Sequence, residues 1–395
     1  MKNGLSLSAL FVFLCLIDLS AQKWDTLAPI PESFTFPVVA LADGKIHIMG
    51  GGGTGGATTA HFAYDPTTDN WESRAAVPYR AQQPAGATAN GKIHFFGGGF
   101  PNSGSPLDDH YIYDPATDTW QQAADLTRAR AIHYAVTLDN VLYSLAGQGV
   151  ANLCQTYDPV ANAWITKNNL PDNGFWYGAH VAAEGHIYRF CGGGYTAPNN
   201  LAHRYDPAND SWAALPVFPA ATHGIKGAAI GNKIFLVGGY NNFVERDEVW
   251  IFNTETSTYE AGPDLPLGRT YHNVVAIDSC IYVLGGNHAI DETVSFQLLR
   301  LCPFETSSGT DDKNISSDLD LRYHGGNIYF KTPEAARGAA RLAIFDISGR
   351  QIFSQGLKIG DNPGWQVYVG NLAPALYVAR LSTPGGSFSG KIIAH

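Results

Sequence analysis

The sequence predicts an all-β chain, a six-bladed β-propeller followed by a small C-terminal β-sandwich. Three observations carry this expectation. An apolar strand ending in glycine returns six times, at Gly51, Gly98, Gly147, Gly193, Gly239 and Gly286. Aromatic residues recur with it: Trp24, Trp71, Trp120, Trp164, Trp212 and Tyr259 are separated by 47, 49, 44, 48 and 47 residues. At Glu305 the repeat gives way to a polar stretch, after which strand-like runs resume. The period is too long for leucine-rich or ankyrin repeats, and the strand-rich pattern excludes helical ones. Four short strands per unit, repeated radially, make a propeller.

Composition agrees. The 395 residues allow two or three domains, or one large repeat fold with an appendage. Hydrophobic residues make up 45% of the chain and charged ones only 15%, which excludes a disordered or coiled-coil protein. With 25 basic and 35 acidic residues the net charge is −10, and no basic stripe exists to hold nucleic acid. The 43 glycines and 22 prolines imply many turns.

Residues 1–21 read as a signal peptide. Lys2 supplies the positive end, Leu5 to Ile17 form an apolar run too short to span a bilayer, and Ser20-Ala21 offer small residues for cleavage. Leu14 stands before Cys15 where a lipoprotein signal has a small residue. No later run is long enough to span, so no membrane segment is expected once the signal is removed. Four cysteines remain. Cys280 and Cys302 share the last repeat and can meet, whereas Cys191 sits in an apolar strand and reads as a buried free thiol. No Cys/His cluster suggests a metal, and no cofactor is expected.

Residues 22–304 hold the repeats. The glycine-ended strand appears as Gly44-KIHIMGG, Gly91-KIHFFGG, Gly185-HIYRFCGG, Asn232-KIFLVGG and Ser279-CIYVLGG, with Asp139-NVLYSLAG a decayed copy. A second landmark follows: Tyr64-DPTTDNW, Tyr113-DPATDTW, Tyr157-DPVANAW and Tyr205-DPANDSW, with Phe252-NTETSTY keeping an aromatic at each end. Asp-Pro marks a turn, and the Tyr and Trp are expected to pack between neighbouring blades. The doublet, Tyr-Asp-Pro and Trp together resemble the Kelch repeat, which implies antiparallel blades around a central channel. The last unit has no Trp of its own, and Trp24 precedes the first doublet. The strand at Lys23-WDTL is therefore expected to complete blade six and close the ring.

Residues 305–320 read as a linker and 321–395 as a second domain of strands, with Asp346 to Arg350 as a hairpin turn. The pieces Ile344-FDISGR, Leu372-APALYVARL and Gly390-Lys391-Ile392-Ile393 resemble the type A C-terminal sorting domain of the type IX secretion system. That resemblance implies a Gram-negative bacterium, passage through the periplasm to the cell surface or beyond, and the outer-membrane secretion machinery as a partner.

Fold alone implies no reaction, so function is sought at the channel mouth. Counting 17 residues back from the first glycine gives Arg80 in blade two and Arg130 in blade three, and one residue fewer gives Arg269 in blade six. His133 and His272 follow at equal offsets. The Kelch resemblance implies that arginines here hold acidic ligands, so these five residues are the candidate ligand-binding set. No nucleophile elbow, P-loop or HExxH appears. Kelch-containing galactose oxidases need a Tyr–Cys crosslink, and no Cys lies in a matching loop. The function expected is binding of a glycan or protein ligand. The alternative is a mutarotase or epimerase acting on an acidic sugar such as sialic acid, with Arg, His and Glu at the mouth.

Overall fold

The computed structural model describes residues 24–303 and 321–394, apart from 54–55, 100–104, 172–175, 195–196, 242–243, 289–295, 325–326, 332–337, 347–350, 360–363, 371, 373–374 and 384–385. The segments read as signal peptide and linker lie outside the described residues.

Six four-stranded antiparallel sheets make the propeller. Their inner strands are Val38–Ala42, Ala85–Ala89, Tyr134–Leu138, Ala179–Ala183, Lys226–Ile230 and Asn273–Ile277. Consecutive inner strands pack side by side, and the sixth returns to the first. The ring closes as the sequence predicts. Asp25–Thr26 pairs antiparallel with Leu298–Leu301, Asp25 opposite Arg300, so the N-terminal strand is the outer strand of blade six. Cys280 and Cys302 form a disulfide within that blade, while Cys154 and Cys191 are buried free thiols.

The repeated aromatics bolt each blade to the one before it. The Trp71 indole N–H donates to the Ala28 carbonyl (3.0 Å), Trp120 to Ala75 (2.9 Å), Trp164 to Ala124 (3.1 Å), Trp212 to Asn168 (3.4 Å) and Trp24 to Pro263 (3.1 Å). Tyr259 uses its hydroxyl on Pro216 (2.8 Å) in the same way. Two residues before each Trp stands an Asp or Asn with positive φ: Asp69, Asp118, Asn162 and Asp210. Short polar side chains tolerate that conformation. In blade one the Asp69 carboxylate accepts from the Tyr64 hydroxyl (2.7 Å) and from the Ala28 amide of the preceding loop (2.8 Å). Blades two, three and four repeat the arrangement. In blade five both partners change together, Phe252 losing the hydroxyl and Ser257 replacing the carboxylate.

The glycine doublets hold paired positive φ because the second strand turns sharply outward at its end. Blade two shows the pattern, with Gly97 at 61° and Gly98 at 95°. In blade four the equivalent pair is Cys191 (57°) and Gly192 (106°), one residue earlier than the Gly192-Gly193 doublet suggests. Blade three uses Ala146 (55°) and Gly147.

The second domain has one sheet of three strands and one of four. Ile328, Phe330 and Val367 from the first and Leu342, Ile344, Tyr377 and Leu381 from the second form a shared buried core, which makes it a β-sandwich.

Candidate functional site

The loop leading to each inner strand builds the channel mouth. A residue in this loop bridges the loop after the glycines of its own blade, as Thr35 does to Gly52, Gln82 to Gly99 and Thr270 to Asn287. The chain must then turn from that bridge into the inner strand. It does so through one left-handed residue placed two before the strand: Phe36 (52°), Gln83 (53°), Ile132 (53°), Tyr177 (62°), Gly224 (71°) and Tyr271 (57°). These six form a ring, stitched by backbone bonds such as Gly224 N–H to the Tyr177 carbonyl (2.7 Å).

Three of them are aromatic and converge on the axis. The Phe36 ring lies 4.6 Å from Tyr271 and 5.8 Å from Tyr177, which comes from the opposite blade, and Tyr177 lies 5.3 Å from Tyr271. All three remain half-buried, so one side of the cluster meets solvent. Polar groups edge it. Gln83 donates its amide to the Tyr177 hydroxyl (3.1 Å), and His223 Nε2 lies 2.7 Å from the Tyr271 hydroxyl. Burial holds His223 below the ordinary histidine range and raises Tyr177.

Behind the ring lies a channel cavity of about 160 Å³, lined among others by Tyr134, His180, Lys226 and Asn273. The Lys226 ammonium sits 5.1 Å above the Tyr134 ring, a cation–π contact, and His180 stacks on the same ring at 3.8 Å.

The five sequence candidates are placed differently from the expected open rim. Arg130 and Arg269 are fully buried. Arg130 bonds the Arg128 carbonyl, the Ser144 hydroxyl and the Gln155 amide oxygen. Arg269 bonds the Gly285 carbonyl (3.2 Å) and the Gln297 amide oxygen (2.7 Å), the same role one half-turn around the ring. Both guanidiniums therefore hold loops in place rather than face the mouth, and burial lowers Arg130 to about 10. Arg80 is exposed, in a separate groove of about 390 Å³ with Glu32, Thr58 and Phe296. His133 and His272 are buried against the glycine of the preceding blade. A Cβ on Gly97 would lie 2.7 Å from His133 Nε2, and one on Gly238 2.9 Å from His272 Cε1. Histidine fits at these two places because the preceding blade offers a bare glycine.

Sequence reasoning missed Phe36, Tyr177, Tyr271, His223, Lys226 and His180. Aligning the repeats on the inner strands, rather than on the glycines, would have lined up the six left-handed positions. Lys226 stood out as a cation at the start of an otherwise small and apolar strand, Lys226-GAAI.

Comparison with known proteins agrees with the fold. The Kelch motif matches residues 221–266, one whole unit that contains blade five. Human Kelch-like protein 23 is 33% identical over 100 residues, 24% of this chain and 18% of that protein. Human Kelch repeat and BTB domain-containing protein 12 is 23% identical over 209 residues, 45% of this chain and 33% of that protein. The matched segments thus span no more than a third of either relative. Among solved structures, that of YjhT superposes with a TM-score of 0.58 at 17% identity, over 69% of this chain and 95% of the other, a likeness of fold.

Proposed function

We propose that this six-bladed Kelch propeller is exported and binds a glycan at its channel mouth. The convergence of Phe36, Tyr177 and Tyr271 carries the reading. Sugar rings lay their C–H faces on aromatic faces, while hydroxyls take the hydrogen bonds that Gln83, His223 and the tyrosine hydroxyls offer at the edge. Such sites combine a mostly apolar concavity with a few placed polar groups. A glycan fits better than a protein surface. Among the described residues the exposed large apolar side chains of the propeller, such as Val141, Val160, Val217 and Val244, come from several blades. The test is a panel of immobilised oligosaccharides. Saturable binding of a subset by the intact protein is expected, and a flat response across the panel would count against the reading.

The alternative, an isomerase acting on the same ligand class, draws support from one contact. Neutral His223 against the Tyr271 hydroxyl is an acid–base pair within reach of a sugar at the mouth.

Export is supported by the Cys280–Cys302 disulfide, which belongs to an oxidising compartment, and by the N-terminal signal pattern. The sandwich is assigned the sorting role, with the outer-membrane secretion machinery as its partner. Deleting residues 321–395 should leave the propeller folded but retained in the periplasm. Unchanged delivery of the truncated protein to the surface would remove the sorting role.

A further inference from the structure

The channel behind the aromatic ring holds a cation that the fold does not neutralise. Lys226 enters from blade five, and its ammonium reaches over Tyr134 of blade three. Among the described residues no carboxylate pairs with it, and burial alone lowers its pKa to about 8. The ionisable groups that feel one another around it are Tyr134, Tyr177, His180, His223, His272, Arg189 and Arg269, none of them acidic at neutral pH. The Tyr134 face favours the charged amine, since a ring quadrupole attracts a cation. His180 adds a second sign. Neither ring nitrogen makes a hydrogen bond of ordinary geometry, although the Gly178 backbone lies near enough to act on the ring, and the imidazole lines the cavity. A neutral imidazole carries one N–H, here without a well-formed acceptor, near an unpaired ammonium. Groups of this kind are costly to bury unless something satisfies them. A bound anion would answer both.

We infer that this cavity is a carboxylate site, in which Lys226 supplies the charge and His180 an N–H donor to a compact acid. Asn273, on the same wall, offers an amide to the remaining oxygen. The carboxylate can belong to a small free acid or to a sugar acid whose remainder rests on the aromatic ring. In the second case the inference rests on the glycan reading above, and in the first it stands alone.

The experiment is calorimetric titration of the full chain with propionate, propionamide, glucuronate and glucose. Propionate should bind at least ten-fold more tightly than its neutral amide, or glucuronate at least ten-fold more tightly than glucose. Which pair shows the difference identifies the source of the acid. Lys226→Met should abolish the difference, and Lys226→Arg should retain it. Above about pH 8 affinity for the acid should fall roughly ten-fold per pH unit as the ammonium is lost. The nearby histidines are already neutral and Tyr134 is raised, so neither follows that profile. Tyr271→Ala separates the two readings, because it strips the glycan platform while leaving Lys226 and His180 in place. Propionate binding that survives Tyr271→Ala supports the cavity whatever becomes of the glycan. Equal affinity for acid and neutral partner in both pairs, no binding of either acid at 10 mM (on the order of a very weak ligand), or a difference untouched by Lys226→Met would overturn the carboxylate site.

Discussion

A Trp24→Ala variant is expected to lose about 3–5 kcal/mol of stability. Trp24 is buried in a cluster that joins blade five, through Val237, Val249 and Ile251, to blade six, through Ile281, Val283 and Leu299. Its indole N–H also reaches the Pro263 carbonyl. Removing the ring opens a cavity at the seam and weakens the pairing of Asp25–Thr26 with Leu298–Leu301, on which closure depends. The two-residue strand is otherwise held by the Asp25–Arg300 ion pair (2.8 Å) and by backbone bonds from Leu27 to Leu298 (2.9 Å) and Ile30 to Phe296 (2.8 Å). Chemical denaturation of parent and variant measures the difference. An unchanged midpoint would show that the ring is closed by other means.

The second large effect is acid lability. In blade one His61 Nδ1 lies 3.0 Å from the Ala75 carbonyl, so it must carry the proton. His61 Nε2 is then the acceptor for His47 Nδ1–H at 2.9 Å. Blade two repeats this with His94, His110 and the Ala124 carbonyl. A further proton on either pair places a positive charge in a buried site beside a second imidazole, with no carboxylate bonded to it. Burial accordingly lowers His47 and His94 to about 3 and His61 and His110 to about 4, and holds His133, His180 and His272 well below their ordinary value. Each folded-state pKa lies below the unfolded value near 6.5, so the unfolded chain binds more protons as pH falls. The stabilisation is complete above about pH 6.5 and is lost as pH falls below it, down to about pH 4 for His61 and His110 and about pH 3 for His47 and His94, at roughly 1.4 kcal/mol per pH unit for each extra proton the unfolded chain binds. Several such groups exhaust a typical domain stability before pH 4 is reached. Urea midpoints at pH 7.5, 6 and 5 should fall progressively, and His94→Gln should flatten the slope. A midpoint constant over that range would contradict neutral buried histidines.

Much of the architecture was legible because the same physics recurs from unit to unit. Tyr–Asp pairs, Asx turns and Trp–carbonyl bonds need fixed residue types at fixed spacing, so they leave a period in the sequence. The orphan Trp24 and the Trp-less sixth unit pointed to ring closure for that reason. The site was less legible because its ring positions share a backbone conformation rather than a chemistry. Phe36, Gln83, Ile132, Tyr177, Gly224 and Tyr271 have nothing in common as side chains. Counting from glycines reached the loops two or three residues early, at Arg80, Arg130 and Arg269. Whether a charged side chain in such a loop faces the axis or the seam between blades depends on partners such as Gln155 and Gln297, which lie 25 and 28 residues away and belong to no motif.

The glycan affinity of Tyr271→Ala, set beside that of the parent and of Arg80→Ala, decides whether the aromatic ring at the channel mouth holds the sugar. Tyr271 is half-buried at the mouth and contacts both other rings, so its loss removes stacking area without opening the core. Aromatic stacking of this kind is worth about 1–3 kcal/mol. The variant should therefore bind roughly five- to 150-fold more weakly while remaining folded at the assay temperature, and Arg80→Ala, in its separate groove, binds like the parent. Full affinity in Tyr271→Ala, or a loss confined to Arg80→Ala, would place the ligand away from the channel.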